Sequence, residues 1–182
     1  AVYPDLNPEV ASHYEKIVVV SEWHKQAMRD RHGVPLDKME VIFNFLIAEH
    51  FQQKVERRRH HFVYSSSPDR GLITLLKMWP LILRRWPDAT LDVFYGWEGC
   101  KKLAACQPGW AAAFRKIWRD WDLLKDQQGI TNRGRVNHET IAREMLSADV
   151  WFYPTSFEET NCANALKARA AGAVPVTHPI AA

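Results

Sequence analysis

"EETNCANALKARAAG", residues 158–172, starts with two acids, crosses a short polar stretch and turns into an alanine-rich helix. "ADVWFYPTSF" (148–157) precedes it and "AVPVT" (173–177) follows. Both read as buried strands, because their apolar residues run consecutively instead of alternating. Strand, polar loop, helix and strand make the βαβ unit of a parallel sheet. A plain connection would need only a turn and a cap, so the acids and small polar residues at 158–162 mark this loop as a candidate binding site.

The same rhythm extends toward the N-terminus. "KIVVVS" (16–21) reads as a strand, and the helix after it takes Ser21 as N-cap and Gly33 as stop. "MEVIFN" (39–44) is the next strand, and "FLIAEHFQQKVERRR" (45–59) shows no clean period and serves as a connection. "HHFVYSSS" (60–67) restarts the pattern ahead of a helix in which Leu72, Leu75, Leu76, Trp79, Leu83 and Trp86 form one apolar stripe. Pro80 lies inside that stripe and is expected to kink or divide it. "ATLDVFYGW" (89–97) is a strand, and the helix at 109–129 places Phe114, Ile117, Trp118, Trp121 and Leu124 on one side. "ITNRGRV" (130–136) is a strand and loop, and "NHETIAREMLSA" (137–148) a helix capped by Asn137. The fold class expected is α/β, a Rossmann-like parallel sheet with helices on both faces. Ligands of such sheets bind at the carboxyl ends of the strands, which singles out the loops after "FVY", "ITNRG" and "WFYPT".

Length and composition narrow the classes. The 182 residues, 47% hydrophobic, suffice for one sizeable core and not for two full domains. A net charge of +3 is too mild to imply nucleic acid. The dense cluster "ERRRHH" (56–61) suits phosphate, an acidic lipid surface or solvent, and is read as solvated linker. Cys100, Cys106 and Cys162 have no metal-like spacing and fit free thiols in a reducing compartment. No signal-like N-terminus and no bilayer-length apolar run are visible, so a cytoplasmic location is expected.

Each of the three loops has a chemical and a bland reading. In "SSSPDRG" (65–71) hydroxyls such as that of Ser66, the fork of Arg70 and the bare backbone of Gly71 suit a diphosphate clamp at a helix start; an ordinary capped helix with an exposed Arg is the alternative. In "GRVNHE" (134–139) Gly134 allows a tight turn, backbone near Val136 can meet a base edge, and His138 reads as a first-turn residue. In the third loop Glu158 suits sugar hydroxyls or a cap. The amides of residues 160–163 point toward an anion at the following helix start, and Lys167 lies about two turns along that helix. Cys162 alone reads as a small buried thiol.

Taken together, these segments resemble the donor half of a GT-B glycosyltransferase, most of all the large retaining family 4 type that includes bacterial lipopolysaccharide and capsule enzymes. "KIVVVSEWHKQAMRDRHGVPLDKMEVIFNFLIAEHF" resembles the end of the N-terminal domain and the interdomain linker, with "FNFL" at the usual Asn-Gly turn. "FVYSSSPDRG" resembles the first βα unit of the donor domain: Arg70 before Gly71 matches a basic residue before glycine, and Tyr64 and Ser65 replace an earlier Gly-Arg pair. "ITNRGRVNHETIAREMLSADVWFYPTSFEETNCANALKARAAGAVPV" resembles the signature region. That signature holds two glutamates separated by seven residues. Counting back from Gly172 assigns them to Glu159 and Lys167, whereas counting forward from Pro154 selects Glu158 first; the helix is the more rigid ruler, so Glu159 is preferred. Lys167 cannot accept hydrogen bonds from ribose hydroxyls as a carboxylate does.

The resemblance implies residues 1–45 as the end of an N-terminal domain, 46–60 as linker and 61–182 as a nucleotide-sugar-binding domain that is incomplete at its C-terminus. It implies transfer of a sugar from a nucleotide-diphosphate donor to an acceptor hydroxyl in glycan or cell-surface polysaccharide synthesis. Glu159, with Glu158 as alternative, would hold the donor sugar. Ser66, Arg70, Gly71, Thr160, Asn161, Cys162 and Lys167 would meet phosphate and ribose, and Arg135 and Val136 would face the base. No metal or other cofactor is expected. The expected partners are a nucleotide sugar and, through the missing N-terminal domain, a glycan or lipid-linked acceptor, with peripheral contact at the inner face of the membrane left open. Two rivals stand beside this reading: a non-catalytic nucleotide-sugar-binding or interaction domain, favoured by Lys167, and a flavodoxin- or receiver-like module.

Overall fold

In the computed structural model residues 6–181 are described. They divide into two compact units, each treated by itself: the described residues of Ala1–Leu46, Phe157–Ala163 and Pro179–Ala182, and those of Ile47–Ser156 and Asn164–His178.

The first unit holds helix α1 (Pro8–Ser12), strand β1 (Ile17–Val19), helix α2 (Glu22–His32) and strand β2 (Met39–Val41). β1 and β2 pair in parallel, Ile17 opposite Met39 and Val19 opposite Val41. The caps of α2 are those the sequence predicts. The Ser21 side chain accepts from the His24 amide, and Gly33 adopts the left-handed conformation (φ 69°) that ends a helix at low steric cost. Ala11, Val19, Met28, Val34 and Met39 form the core of this unit. The expected strand 39–44 is shorter than its apolar run: beyond Val41, Phe43 and Phe45 turn outward, 62% and 87% exposed.

The second unit is a five-stranded, all-parallel sheet of β3 (Arg58–Tyr64), β4 (Thr90–Phe94), β5 (Ile130–Gly134), β6 (Ala148–Tyr153) and β7 (Val174–Thr177), in the spatial order β5-β4-β3-β6-β7. Its helices are α3 (Leu72–Arg85), α4 (Glu98–Cys106), α5 (Pro108–Leu124), α6 (His138–Ser147) and α7 (Ala163–Ala170), whose first residue alone is assigned to the first unit. The chain steps β3 to β4 to β5 one way, then returns across two strands to β6 and β7. Right-handed crossovers therefore put α3, α4 and α5 on one face and α6 and α7 on the other. This order is the Rossmann arrangement, not the flavodoxin one, and the direction reverses between β3 and β6.

Burial follows from that layering. His61 to Tyr64 in β3 and Leu91 to Phe94 in β4 are buried on both faces. Trp79 of α3 packs edge-on against Phe62, ring centroids 5.5 Å apart. β7 departs from expectation: Val174 and Val176 are 57% and 41% exposed. It is an edge strand, and an apolar run in the sequence does not by itself say that a neighbour covers it. α4 was not anticipated, since its mixed sequence buries no residue.

Helix α3 runs through Pro80 undivided, against the expected interruption. Proline cannot donate to the carbonyl four residues earlier, which is that of Leu76. Gln127 supplies the missing donor, its Nε2 lying 3.0 Å from the Leu76 oxygen and 2.9 Å from that of Leu124.

The cluster at 56–61 is also not plain linker. Arg57 donates to the carbonyls of Ala148, Ala171 and Gly172, so it closes the C-terminal end of α7 onto the start of β6. Arg58 Nη2 lies 2.8 Å from Glu144 Oε2, 2.6 Å from His61 Nε2 and 3.5 Å from the buried Asp92. Arg133 approaches Asp92 from the other strand at 3.1 Å. Buried carboxylates persist when paired in this way. Burial and then the charge of Arg58 push the His61 imidazole down from 6.5 to about 4.

Replacing Gln127 with Leu should lower the stability to urea by about 1–3 kcal/mol, the cost of a buried carbonyl left without a donor, whereas a silent substitution would show that the Leu76 carbonyl is satisfied otherwise. His61 makes a second expectation. Its folded pKa lies below the unfolded one, so its contribution is complete above pH 6.5 and is lost as pH falls toward about 4. Urea midpoints across that range should slope downward in the parent chain and flatten in His61→Gln.

Candidate functional site

At the reversal between β3 and β6 the loops on the carboxyl side of the second unit's sheet converge. The β3–α3 loop is held from within. The Tyr64 hydroxyl, buried and with its pKa raised by burial, donates to the Ser67 carbonyl at 2.7 Å, and the Arg70 amide closes a turn onto the same carbonyl at 2.9 Å. Asp69 accepts from the Ser67 hydroxyl and from the Cys100 thiol, whose pKa burial pushes up. Ser66 is buried and Arg70 half-buried.

Gly71 makes a close approach, but to the protein itself. At φ 96° its missing Cβ would stand 2.2 Å from the Pro154 carbonyl oxygen, so the loops after β3 and β6 touch backbone to backbone. The Trp151 indole of β6 donates to the Ser65 hydroxyl at 3.1 Å, and Asn164, in the first turn of α7, donates to the Ser65 carbonyl. Lys167, the fifth residue of α7 and so about one turn along it, brings its ammonium within 3.2 Å of His138 Nδ1 at the first position of α6. The Asn137 side chain caps α6 by accepting from the Thr140 amide. Helix α7 thereby joins the first loop, through Asn164, to the second, through Lys167.

Arg135 is exposed and Val136 half-buried just after Gly134. A cavity of about 250 Å³ opens at the same end of the sheet, lined by Asp69, Gly71, Pro154, Ser156 and His178 among others. His178 contacts the Thr155 carbonyl through Nδ1 at 2.8 Å. A donor to that carbonyl must be Nδ1–H.

The remaining sequence-predicted residues belong to the first unit. Glu158 is gripped by both terminal nitrogens of Arg31, at 2.6 and 2.9 Å, and Arg31 holds its carboxyl below the usual range. Glu159 forms a parallel bridge with Ala181. The Ser21 hydroxyl, which caps α2, also donates to the Thr160 carbonyl. Asn161 donates to the Val20 carbonyl at 2.6 Å and accepts from Asn44 at 2.7 Å. Cys162 is half-buried. Helix α7 starts at Ala163, so the amides of 160–162 precede it.

Arg31, Asn164 and His178 were not singled out from the sequence. Arg31 and Asn164 act on partners 127 and 99 residues away, beyond any local spacing. Among the described residues one group has metal-ligand chemistry, His61, Asp92 and Glu144. The Arg58 guanidinium lies among these three side chains and already serves as their cation. The sheet-end loops thus offer ammonium, guanidinium and helix-start amides, a set suited to an anion.

No family model and no curated protein sequence matches the chain. Solved structures do. A glycosyltransferase from Rickettsia africae matches with a TM-score of 0.67 at 14% identity, over 99% of this chain and 50% of that one. Anabaena HepE, solved in complex with UDP and glucose, matches with 0.71 at 12% identity, over 95% of this chain and 47% of its own. A Staphylococcus aureus TarM mutant, in complex with Fondaparinux, alpha-GlcNAc-glycerol and UDP, matches with 0.69 at 12% identity, over 94% and 31%. The fold is that of GT-B glycosyltransferases, and the chain spans half or less of each of these proteins. Among the described residues no helix is long and apolar enough to cross a membrane.

Gly71→Ala should cost about 2–4 kcal/mol in chemical denaturation, from a left-handed backbone and a clash that no rotamer relieves. Gly99→Ala, in open space within α4, should be neutral or slightly stabilising. Equal effects would mean that the Gly71–Pro154 contact is not required.

Proposed function

We propose that the chain is the donor-binding part of a glycosyltransferase of the retaining family 4 type, taking a sugar from a nucleotide-diphosphate donor to an acceptor hydroxyl in glycan synthesis. The observation that carries this reading is the Rossmann strand order with Asn164 and Lys167 of α7 joining the loops at its reversal point, in the fold shared with glycosyltransferases solved with UDP.

In this reading Arg70 and Lys167 hold the leaving diphosphate without a metal, since fixed cations near a helix start neutralise the charge that develops as the glycosidic bond breaks. The loop at Arg135 and Val136 meets the base. Glu159 takes the donor sugar on the strength of the sequence resemblance, and Glu158, already bound by Arg31, is the weaker choice. Acceptor binding, a cytoplasmic location and contact with a membrane surface belong to the same proposal. Lys167, standing where a carboxylate would receive ribose hydroxyls, favours one second reading: a domain that binds nucleotide sugars without turnover.

The test is a calorimetric and thermal-shift titration of the chain with UDP, GDP and ADP and their sugar conjugates. One nucleotide is expected to stabilise the chain by about 2–3 kcal/mol at a hundredfold excess over its Kd, and Arg70→Ala to weaken binding about tenfold or more. Lys167→Glu should tighten a ribose-containing ligand if the lysine marks a weakened site. A folded chain that binds none of them would sink the donor reading.

A further inference from the structure

A second concave feature lies on the α6 side of the second unit's sheet, with none of residues 65–71 or 154–156 in its wall. It is a cavity of about 610 Å³ with Arg57, Arg58, Arg59, Arg133 and Arg143 in its wall. The acids near them are Glu56 and Glu144 in the wall, Asp92, which Arg58 and Arg133 both approach, and Asp149, whose charge acts on His61 beside Arg58. Five cations against four carboxylates leave the site net positive. We infer that this cavity is an anion site distinct from the sheet-end loops and takes a phosphate group.

Three features carry the inference. Arg57 is fixed by the carbonyls of Ala148, Ala171 and Gly172, and Arg58 by Glu144, Ser147 and His61. Their forks are therefore held before any ligand arrives, which lowers the ordering cost of binding. Planar guanidinium groups match phosphate oxygens two at a time, and five of them converge on this wall. None of the residues lining the cavity is aromatic and five are arginines, so the wall is built of phosphate-binding groups instead of ring faces.

A phosphate of this kind can come from a soluble diphosphate or from a lipid headgroup, and the experiment separates them. The chain is titrated with inorganic pyrophosphate while backbone amides are followed by NMR, and in parallel is sedimented with phosphatidylglycerol or phosphatidylcholine vesicles. Pyrophosphate should move the amides of residues 55–59 and 143–147. The double variant Arg59→Gln/Arg143→Gln leaves the bonded Arg57 and Arg58 in place and should weaken that response about tenfold. Sedimentation with phosphatidylglycerol alone, lost in the variant, would assign the source as a lipid headgroup; a pyrophosphate response without it assigns a soluble phosphate. Shifts confined to residues 65–71, an unchanged affinity in the double variant, or no response to either probe overturns the inference. The donor reading is judged separately, by the amides of 65–71 and the effect of Arg70→Ala.

Discussion

The second unit depends on a single close approach. Only hydrogen fits on Gly71 where its backbone meets the Pro154 carbonyl, and that contact sets the separation of the loops after β3 and β6. Everything gathered at the reversal point follows from it. Trp151 can reach the Ser65 hydroxyl, Asn164 can reach the Ser65 carbonyl, and α7 is then oriented so that Lys167 meets His138. A larger residue at position 71 would change the frame as well as the turn.

The charged groups of the sheet illustrate how like residues acquire unlike tasks. Three consecutive arginines read as one basic patch, yet Arg57 ties off a helix end and Arg58 neutralises buried acids, while Arg59 remains exposed. What fixes the division is the partner each side chain reaches, since all three line one cavity. Asp92 in turn is tolerated inside the sheet because two guanidinium groups and an imidazole surround it.

Much of this architecture is legible in the sequence because its signals are local. Ser21, Gly33 and Asn137 act on neighbours three or four residues away, and their caps are present where the spacing predicts. The apolar stripe of α3 buries Leu72, Leu75, Leu76 and Trp79 completely. What local spacing cannot express is pairing across the fold. The Arg31 grip on Glu158, the Asn164 bond to Ser65 and the exposure of β7 depend on which elements become neighbours, and no motif encodes that. The candidate site was accordingly legible as a set of loops, and its internal bonding was not. Gly71 shows the difference: the sequence points to a close backbone approach, and only the fold reveals that the partner is Pro154.

The repair of α3 has a consequence for the order in which the chain can assemble. The carbonyl left open by Pro80 is closed by Gln127, which lies 51 residues beyond Leu76 and past the end of α5. The first βαβ segment, β3 through β4, therefore contains a helix that it cannot complete from its own residues. Its middle turn gains this protein donor only when the later segment docks, which ties an early-synthesised element to a later one.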